Sequence, residues 1–347
     1  MNGTVKREEL LAELNSVRGG LTSKEIIEQS SSFAFKNGRV MTYNDEVACT
    51  NACQLNIVGA VPHKSLLNIL EKRTDDVLSY EVDKGTLKLR GKQGTSKITM
   101  EAEVALPIDN VEYPDKSQWR KLPEDFEDAV GMVQDCASKD ESRFNLTCIH
   151  LHPEWMEACD NFQIMRYHIE LGLEHAILIR RDALKQIMTH GITKFAETET
   201  WAHFKNPKGL ILSVKRHVRN DYPDLTELLN IKGAKTVLPK GLAEATERCD
   251  VFSSENVDDN HVRVSLKPNK LSILGKGVTG SHFEPYRAKV NYKGPPLTFR
   301  IKPQLLSKIV KEYSRCEVTP ERLKVNGGKY TFIAWLYKEG SKEEVSE

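Results

Sequence analysis

An internal repeat is the feature of this sequence that most limits its fold. The repeated pattern is an apolar residue, a second apolar residue two positions later and a third one seven positions after the first. It recurs at a period of about 115 residues. Its three matches are Phe33, Phe35 and Val40, then Ile149, Leu151 and Met156, then Val264, Leu266 and Leu271. Each match encloses a polar turn and therefore predicts a β-hairpin.

A second pattern follows each hairpin and predicts a strand that runs into an amphipathic helix. An apolar residue is followed by two others, five and eight positions later. These two are three positions apart and therefore share one helical face. The matches are Val61, Leu66 and Ile69, then Ile179, Leu184 and Ile187, then Ile301, Leu306 and Ile309. Apolar stripes at helical spacing also precede the hairpins, at Leu10, Leu14, Val17 and Leu21, at Phe126, Val130, Val133 and Ala137, and at Leu242, Ala245, Cys249 and Phe252.

Two proline-containing joints separate three predicted domains of mixed α+β structure. The joints are Tyr113-Pro114-Asp115 and Tyr222-Pro223-Asp224, and proline forces the preceding residue to be extended and ends regular structure. The predicted domains are residues 1–115, 116–232 and 233–347.

Composition excludes several classes of protein. The 347 residues include 50 basic and 49 acidic ones, which excludes a strongly basic, histone-like binder but not a locally basic surface. The seven cysteines contain no Cys-x-x-Cys pair and predict free thiols in a reducing cytosol. The N-terminus has no apolar signal core, and no apolar run approaches the ~18 residues of a membrane span. No membrane association is expected.

Two motifs suggest a cofactor or a metal, and neither has the context that it needs. Gly275, Gly277 and Gly280 spell G-x-G-x-x-G, but the residues that follow do not predict the helix of a dinucleotide site, so a loop between strands is expected. Cys148, His150, His152 and Cys159 could in principle bind zinc, yet no second ligand pair is visible. No nucleophile elbow or H-E-x-x-H motif is present. We therefore predict no cofactor, no metal and no catalytic residue.

Short matches in the same order resemble the bacterial DNA polymerase III beta subunit, the replicative sliding clamp. Thr42-Tyr43-Asn44-Asp45-Glu46-Val47-Ala48 resembles a strand of that family's first domain, Thr-Ala-Thr-Asp-Leu-Glu-Ile-Ala. The segment from Tyr222 to Leu229 resembles the family's Phe-Pro-Asp-Tyr joint, and the segment from Leu238 to Leu242 resembles the start of its third domain. The resemblance covers nearly the whole chain and marks it as a divergent member, of chromosomal or phage origin.

The resemblance implies an α+β fold of three tandem clamp domains in a ring, with helices lining the interior and antiparallel sheets outside. It implies a non-catalytic, cytoplasmic processivity factor, a head-to-tail homodimer that encircles double-stranded DNA. DNA polymerase and the clamp loader would bind through short linear peptides. Two alternatives stay open at this point: a clamp-fold interaction scaffold that does not encircle DNA, and a repeat-built enzyme with an unrecognised site.

Sliding requires contacts with phosphates rather than with base edges. The second predicted helix of each unit carries a basic excess, whereas the helix at 123–139 is acidic and departs from a uniformly basic hole. The predicted DNA-binding residues are Lys24, Lys64, Lys72, Arg73, Lys139, Arg143, Arg181, Lys185, Lys194, Lys308 and Lys311.

The resemblance also implies a groove for partner peptides, formed in the family between domains two and three. The family's strand Thr-Asp-Gly-His-Arg-Leu corresponds here to the stretch from Cys159 to Ile164. The predicted groove residues are Leu146, Cys159, Asn161, Phe162, Gln163, Ile164, Pro223, Leu228, Ile333, Trp335 and Tyr337. Aliphatic and aromatic side chains suit a peptide anchored by a few apolar residues.

Overall fold

The computed structural model describes residues 1–217, 221–255, 260–286, 290–313 and 315–337. The first third contains β1 (Asn2–Lys6), α1 (Arg7–Ser16), β2 (Ser32–Lys36), β3 (Arg39–Tyr43), β4 (Val47–Ala52), β5 (Gly59–Pro62), α2 (His63–Lys72), β6 (Val77–Asp83), β7 (Thr86–Gly91) and β8 (Gly94–Thr99). The second contains β9 (Arg120–Lys121), α3 (Phe126–Gln134), β10 (Cys148–Leu151), β11 (Trp155–Cys159), β12 (Gln163–His168), β13 (Ile177–Arg180), α4 (Arg181–Lys185), β14 (Lys194–Glu197), β15 (Trp201–Lys205), β16 (Ile211–His217) and α5 (Thr226–Leu229). The third contains β17 (Ala234–Val237), α6 (Leu242–Ser253), β18 (Val262–Lys267), β19 (Lys270–Lys276), β20 (Ser281–Tyr286), β21 (Leu297–Ile301), α7 (Pro303–Glu312), β22 (Arg315–Val318), β23 (Arg322–Asn326) and β24 (Tyr330–Trp335).

This order of elements repeats at half the period that the sequence suggests. A strand, a helix and three strands follow one another twice in each third, starting at β1, β5, β9, β13, β17 and β21. Short 3₁₀ turns accompany them at Arg18–Gly20, Ile108–Asn110, Lys116–Gln118, Phe144–Thr147 and Gln186–Thr189. The predicted helical stripes begin on α1, α3 and α6, although Val17, Leu21 and Ala137 lie beyond the ends of α1 and α3. The helical residues of the second pattern lie on α2, α4 and α7, except Ile187, which lies on the 3₁₀ turn after α4.

The hairpin pattern is confirmed by strand pairing. Phe35 lies opposite Val40 in the β2–β3 pair, Leu266 lies opposite Leu271 in the β18–β19 pair, and β10 neighbours β11.

The first strand of each hairpin also pairs with the strand before the next helix, and this register is shifted in the third copy. Phe33 lies opposite Val61 and Ile149 opposite Ile179, each two residues before a helix. Val264 lies opposite Phe299, four residues before α7.

The G-x-G-x-x-G segment forms the turn between β19 and β20, as expected of a loop between strands. The Gly277 N–H donates to the Gly280 carbonyl at 2.9 Å and closes the hairpin. A side chain at Gly275 or Gly277 would collide with the carbonyl oxygens of Cys249 and Phe252. These two glycines thus let α6 pack directly against β19.

The chain divides into two compact units, and the first comprises Met1–Gln134, Thr147–Met156 and Ile169–Asn220. It contains a four-stranded sheet in the order β1-β6-β7-β8 and the run β5-β2-β3-β4-β16. In that run the antiparallel pairing of β4 with β16 joins the first third of the chain to the second. One of its apolar clusters contains Ala34, Met41, Tyr43, Ala48, Leu106, Ile108, Val111 and Trp201.

The second unit comprises Asp135–Leu146, Glu157–His168 and Asp221–Glu347. It contains the run β17-β22-β23-β24-β12 and a four-stranded sheet in the order β20-β19-β18-β21. The antiparallel pairing of β24 with β12 joins the last third to the middle third. Strands paired in this way cross the predicted boundaries, so the contacts group into two units, and the division into three domains stays a prediction.

Side chains on both faces of β10 are covered. Ile149 and Leu151 lie on one face of this strand and Cys148 and His150 on the other. Cys148, Ile149 and Leu151 are buried, and His150 is half-buried.

Candidate functional site

An apolar cluster in the second unit brings together residues from three distant parts of the sequence. Its buried floor consists of Cys159, Ile164, Leu225, Leu229 and Ile333. Partly buried side chains surround this floor, and they are Leu146, Tyr222, Leu228, Ile231 and Trp335. A cluster with a sealed floor and a partly open rim can take apolar side chains from another molecule.

The backbone explains why these residues meet. Ile164 and Ile333 lie directly opposite each other in the β12–β24 pair, so both side chains point to the same face of the sheet. The Asp224 carboxylate accepts the Thr226 N–H at 2.9 Å in the turn that leads into α5, and the Leu225 carbonyl accepts the Leu229 N–H at 3.0 Å. Leu225 and Leu229 are then one helical turn apart and cover that face together.

A tight turn shapes one end of the cluster. The Asp160 carboxylate accepts the N–H groups of Phe162 and Gln163 at 2.7 and 2.8 Å. The Phe162 carbonyl accepts the Trp335 N–H at 2.8 Å, which ties the turn to the last strand. Burial raises the pKa of Asp160, although these hydrogen bonds oppose the rise. The turn therefore presents Asn161 and Phe162 at the edge of the cluster.

Aromatic rings and cations alternate along the open side of the cluster. The Lys302 ammonium lies 3.4 Å from the centroid of the Phe162 ring, and that ring is 6.5 Å from the ring of Tyr337. The Arg322 guanidinium carbon lies 5.5 Å from the Trp335 ring centroid. These cation–π contacts hold Lys302 and Arg322 beside the aromatic side chains at the edge of the cluster.

Six of the eleven predicted groove residues belong to the cluster: Leu146, Cys159, Ile164, Leu228, Ile333 and Trp335. Asn161, Phe162, Gln163 and Tyr337 lie at its ends, where Gln163 donates to the Asp135 carbonyl at 2.9 Å and Arg143 donates to Asn161 at 3.3 Å. Pro223 is exposed and stands outside the packed set.

Sequence reasoning missed Tyr222, Leu225, Leu229 and Ile231. The i, i+4 spacing of Leu225 and Leu229 was an available signal. Tyr222 was read only as part of a joint, yet its hydroxyl donates to the Cys159 Sγ at 3.7 Å. Burial raises the pKa of the Cys159 thiol to about 11 and raises that of Tyr222 well above its usual value. Cys159 in the floor and Tyr222 in the rim are thus both uncharged parts of the cluster.

The residues predicted to bind DNA fall into three groups by environment. Exposed lysines form the first group, which comprises Lys24, Lys64, Lys72, Lys139, Lys185 and Lys194. Arg143 is also exposed, but it donates to Asn161 at the edge of the cluster. Lys64 and Lys72 lie on α2 and Lys185 ends α4, as the helical pattern predicts.

The second group is already paired with carboxylates. Lys308 lies 3.1 Å from Asp135, and Lys311 lies 2.8 Å from Glu247. Arg181 pairs with the neighbouring Asp182 at 2.9 Å. A phosphate would have to compete with these carboxylates, which lowers the net attraction that such residues can exert.

Arg73 forms the third group, and its prediction as a phosphate contact needs correction. Its side chain is only 6% exposed and pairs with Asp75 at 2.9 Å. It also donates to the Ser96 hydroxyl at 3.1 Å and to the Gly94 carbonyl at 3.0 Å. The guanidinium therefore fixes the turn before β8 and is not presented to a ligand.

Among the described residues, no group of three His, Cys, Asp or Glu side chains is placed to hold a metal ion, and this includes the Cys148, His150 and His152 set. No helix in the described ranges is long and apolar enough to cross a membrane.

The fold of this chain is that of the bacterial sliding clamps. It is similar to the DNA polymerase III beta subunit of Thermotoga maritima (TM-score 0.82, 17% identity, 98% of this chain and 100% of that chain). It is similar to the DNA polymerase III beta chain of Streptococcus pneumoniae (TM-score 0.84, 16% identity, 97% of this chain and 100% of that chain). It is also similar to a sliding clamp of Bartonella birtlesii bound to griselimycin (TM-score 0.85, 15% identity, 98% of this chain and 100% of that chain). No family model and no curated protein matches the sequence.

Proposed function

We propose that this protein is a DNA sliding clamp, a non-catalytic, ring-shaped processivity factor that encircles duplex DNA and tethers a replicative polymerase. The observation that carries the proposal is full-length agreement with clamp structures, at TM-scores of 0.81 to 0.85, despite identities of 11 to 17%. Structure retained along the whole chain after such divergence favours a function that depends on the shape of the whole molecule.

The sheet edges support a closed head-to-tail homodimer. The last strand of one strand-helix-strands motif pairs with the last strand of another at both joints between thirds, β4 with β16 and β12 with β24. The last strands of the two remaining motifs are β8 and β20, and each is an edge strand of its own four-stranded sheet. Pairing β20 of one copy with β8 of a second copy, and the reverse, closes a ring and removes both edges.

The apolar cluster supports recruitment of polymerase and clamp loader through short linear peptides. Its buried floor, its partly open rim and its aromatic residues fit an anchor-in-pocket mode of binding. The similar clamp of Bartonella birtlesii was solved bound to griselimycin.

Retention on closed DNA tests encirclement directly. The protein would be loaded on a nicked circular plasmid with its own loader, or at high concentration, and then separated by gel filtration. A clamp stays with the circle and leaves once a restriction enzyme linearises it. Equal loss from circular and linear DNA would contradict the proposal.

A clamp-fold interaction scaffold that does not encircle DNA is a second candidate. The observation in its favour is that Lys308 and Lys311, both predicted to face DNA, are neutralised by Asp135 and Glu247. The scaffold predicts peptide binding without any difference between circular and linear DNA, so the same experiment separates the two.

A further inference from the structure

The sheet face that carries the apolar cluster continues into a basic hollow. In β24, Ile333 and Trp335 lie opposite Lys324 and Arg322 of β23. Directly opposed residues of an antiparallel pair point to the same side of the sheet. The cluster and these two cations therefore share one face, with Arg322 beside Trp335 at the point where they meet.

The hollow lies further along that face, across β23, β22 and β17. Lys324 is opposite Glu317, and Glu317 is opposite Lys235. These three side chains, together with Arg315 and Asn326, line a cavity of about 220 Å³. Lys235 and Arg315 are exposed and Lys324 is half-buried, so the cations are accessible to a ligand.

The charge of this hollow is not balanced from within. Lys235, Arg315 and Lys324 form no ion pair in the part of the chain that the structure describes. The one acidic group, Glu317, accepts the Gly233 N–H at 3.2 Å. Arg322 likewise has no carboxylate partner among the described residues, since its guanidinium contacts the Trp335 ring and the Leu228 carbonyl.

We propose that this hollow is a second subsite for the docking peptide, which takes an acidic flank of Asp or Glu residues next to the apolar anchor. The inference rests on the proposed peptide-binding function of the apolar cluster. Arg322 would contact the first carboxylate beyond the anchor, and Lys324, Lys235 and Arg315 would contact the next ones. Partners with an acidic flank would then be selected over partners with the same anchor and a neutral flank.

Two synthetic peptides test the proposal by fluorescence anisotropy on the full-length protein. Both carry the same segment with two leucines and a phenylalanine, followed by either a tetraglutamate or a tetraglutamine flank. Exposed ion pairs are individually weak, so three or four of them together predict about tenfold tighter binding of the glutamate peptide. High salt should remove most of this gain.

The combined variant Lys235→Gln, Arg315→Gln and Lys324→Gln should bind both peptides equally. Its matched control is Lys267→Gln, Lys270→Gln and Lys276→Gln, which removes the same charge from exposed positions of the β18–β19–β20 sheet and should keep the tenfold preference. Circular dichroism would confirm that each variant is folded. A preference that survives in the first variant, or is lost in both, overturns the proposal.

The remaining outcomes separate this inference from the proposed function. If wild type binds both peptides equally and Trp335→Ala abolishes both, the groove stands and the acidic subsite is wrong. If neither peptide binds wild type, groove and subsite fail together. If the first variant keeps the glutamate preference but leaves circular DNA faster than the control variant, the hollow is a DNA contact and the proposal is overturned.

Discussion

At the scale of single residues, burial decides which charges can act on a ligand. Arg73 ends a basic helix in the sequence, and nothing in its neighbours indicates that it is buried. The contacts that bury it come from Gly94 and Ser96, about twenty residues away, at the start of β8. The paired partner Asp75 is just as hidden, at 7% exposure. Pattern reasoning reads local spacing, so it cannot detect a partner supplied by tertiary structure.

This pair predicts an acid-dependent loss of stability. Burial opposes the charged form of Asp75, but the N–H of Lys92 and the Arg73 guanidinium outweigh it, so the pKa is lowered. A lowered pKa stabilises the fold above the unfolded aspartate pKa of about 3.9, and this contribution is lost as the pH falls through the folded value. Asp75→Asn should therefore lower the denaturant midpoint at pH 7 and should lower it less at pH 3.

The exposed neighbour Asp76 gives the matched control, because Asp76→Asn removes the same charge without a buried partner. Denaturant unfolding of both variants at the two pH values measures the effect. Equal behaviour of the two variants would mean that the Arg73–Asp75 pair contributes nothing measurable.

Trp335 is the residue on which peptide binding should depend most. It is half-buried at the edge of the apolar cluster, and truncation of such aromatic anchors typically costs at least about 2 kcal/mol. Trp335→Ala should weaken binding of the leucine-phenylalanine peptide about thirtyfold or more, measured by anisotropy. Trp155→Ala, a half-buried tryptophan outside the cluster, should leave the affinity unchanged. An unfolded Trp335→Ala protein would place Trp335 in the core instead.

At the scale of elements, helix positions were predictable and the internal symmetry was not. The apolar stripes that begin at Leu10, Phe126 and Leu242 each begin on a helix, because a core-facing helix must repeat apolar residues every three or four positions. The twofold repeat inside each third is invisible in the sequence, since the two motifs share strand and helix order but few residue types. Strand pairing between thirds was also hidden, because sequence patterns set which face is buried but not which edge is paired.

The unpaired edges predict how two copies associate. Phe283 is 60% exposed on β20, the edge strand of its sheet. In the proposed dimer it lies at the junction with β8 of the second copy, so Phe283→Glu should shift the protein toward monomer by burying a charge there. Light scattering with size exclusion at micromolar concentration measures the shift.

Val77 provides the control for this prediction. It is 54% exposed on β6, which has neighbours on both sides in its sheet. Val77→Glu adds the same charge and should leave the oligomeric state as in wild type. A Phe283→Glu protein that remains dimeric would exclude β20 from the interface.

At the scale of the whole molecule, the repeat predicted the fold class and the order of the elements, but not which strands pair between the thirds of the chain. The β4–β16 and β12–β24 pairs continue sheets through both predicted boundaries. A boundary placed at a proline joint assumes that few contacts cross it, and here backbone hydrogen bonds do. The apolar cluster follows from the same continuity, because β12 and β24 belong to different thirds of the sequence.

The last prediction distinguishes free from paired cations on the proposed DNA surface. Each phosphate contact that is lost should lower the slope of log affinity against log salt by about 1. Reversal of the exposed Lys64, Lys72 and Lys185 to Glu should therefore lower the slope by about 3. Reversal of Lys308 and Lys311 should lower it by less than 1 per residue, because Asp135 and Glu247 already neutralise them.

The charge-matched control, Lys84→Glu with Lys92→Glu and Lys267→Glu, changes exposed lysines in strand turns and should leave the slope unchanged. Retention on circular DNA across a salt series gives all three slopes. Equal slopes for the first variant and the control would remove α2 and α4 from the DNA surface, and a full loss of 1 per residue at Lys308 and Lys311 would show that their ion pairs open when DNA binds.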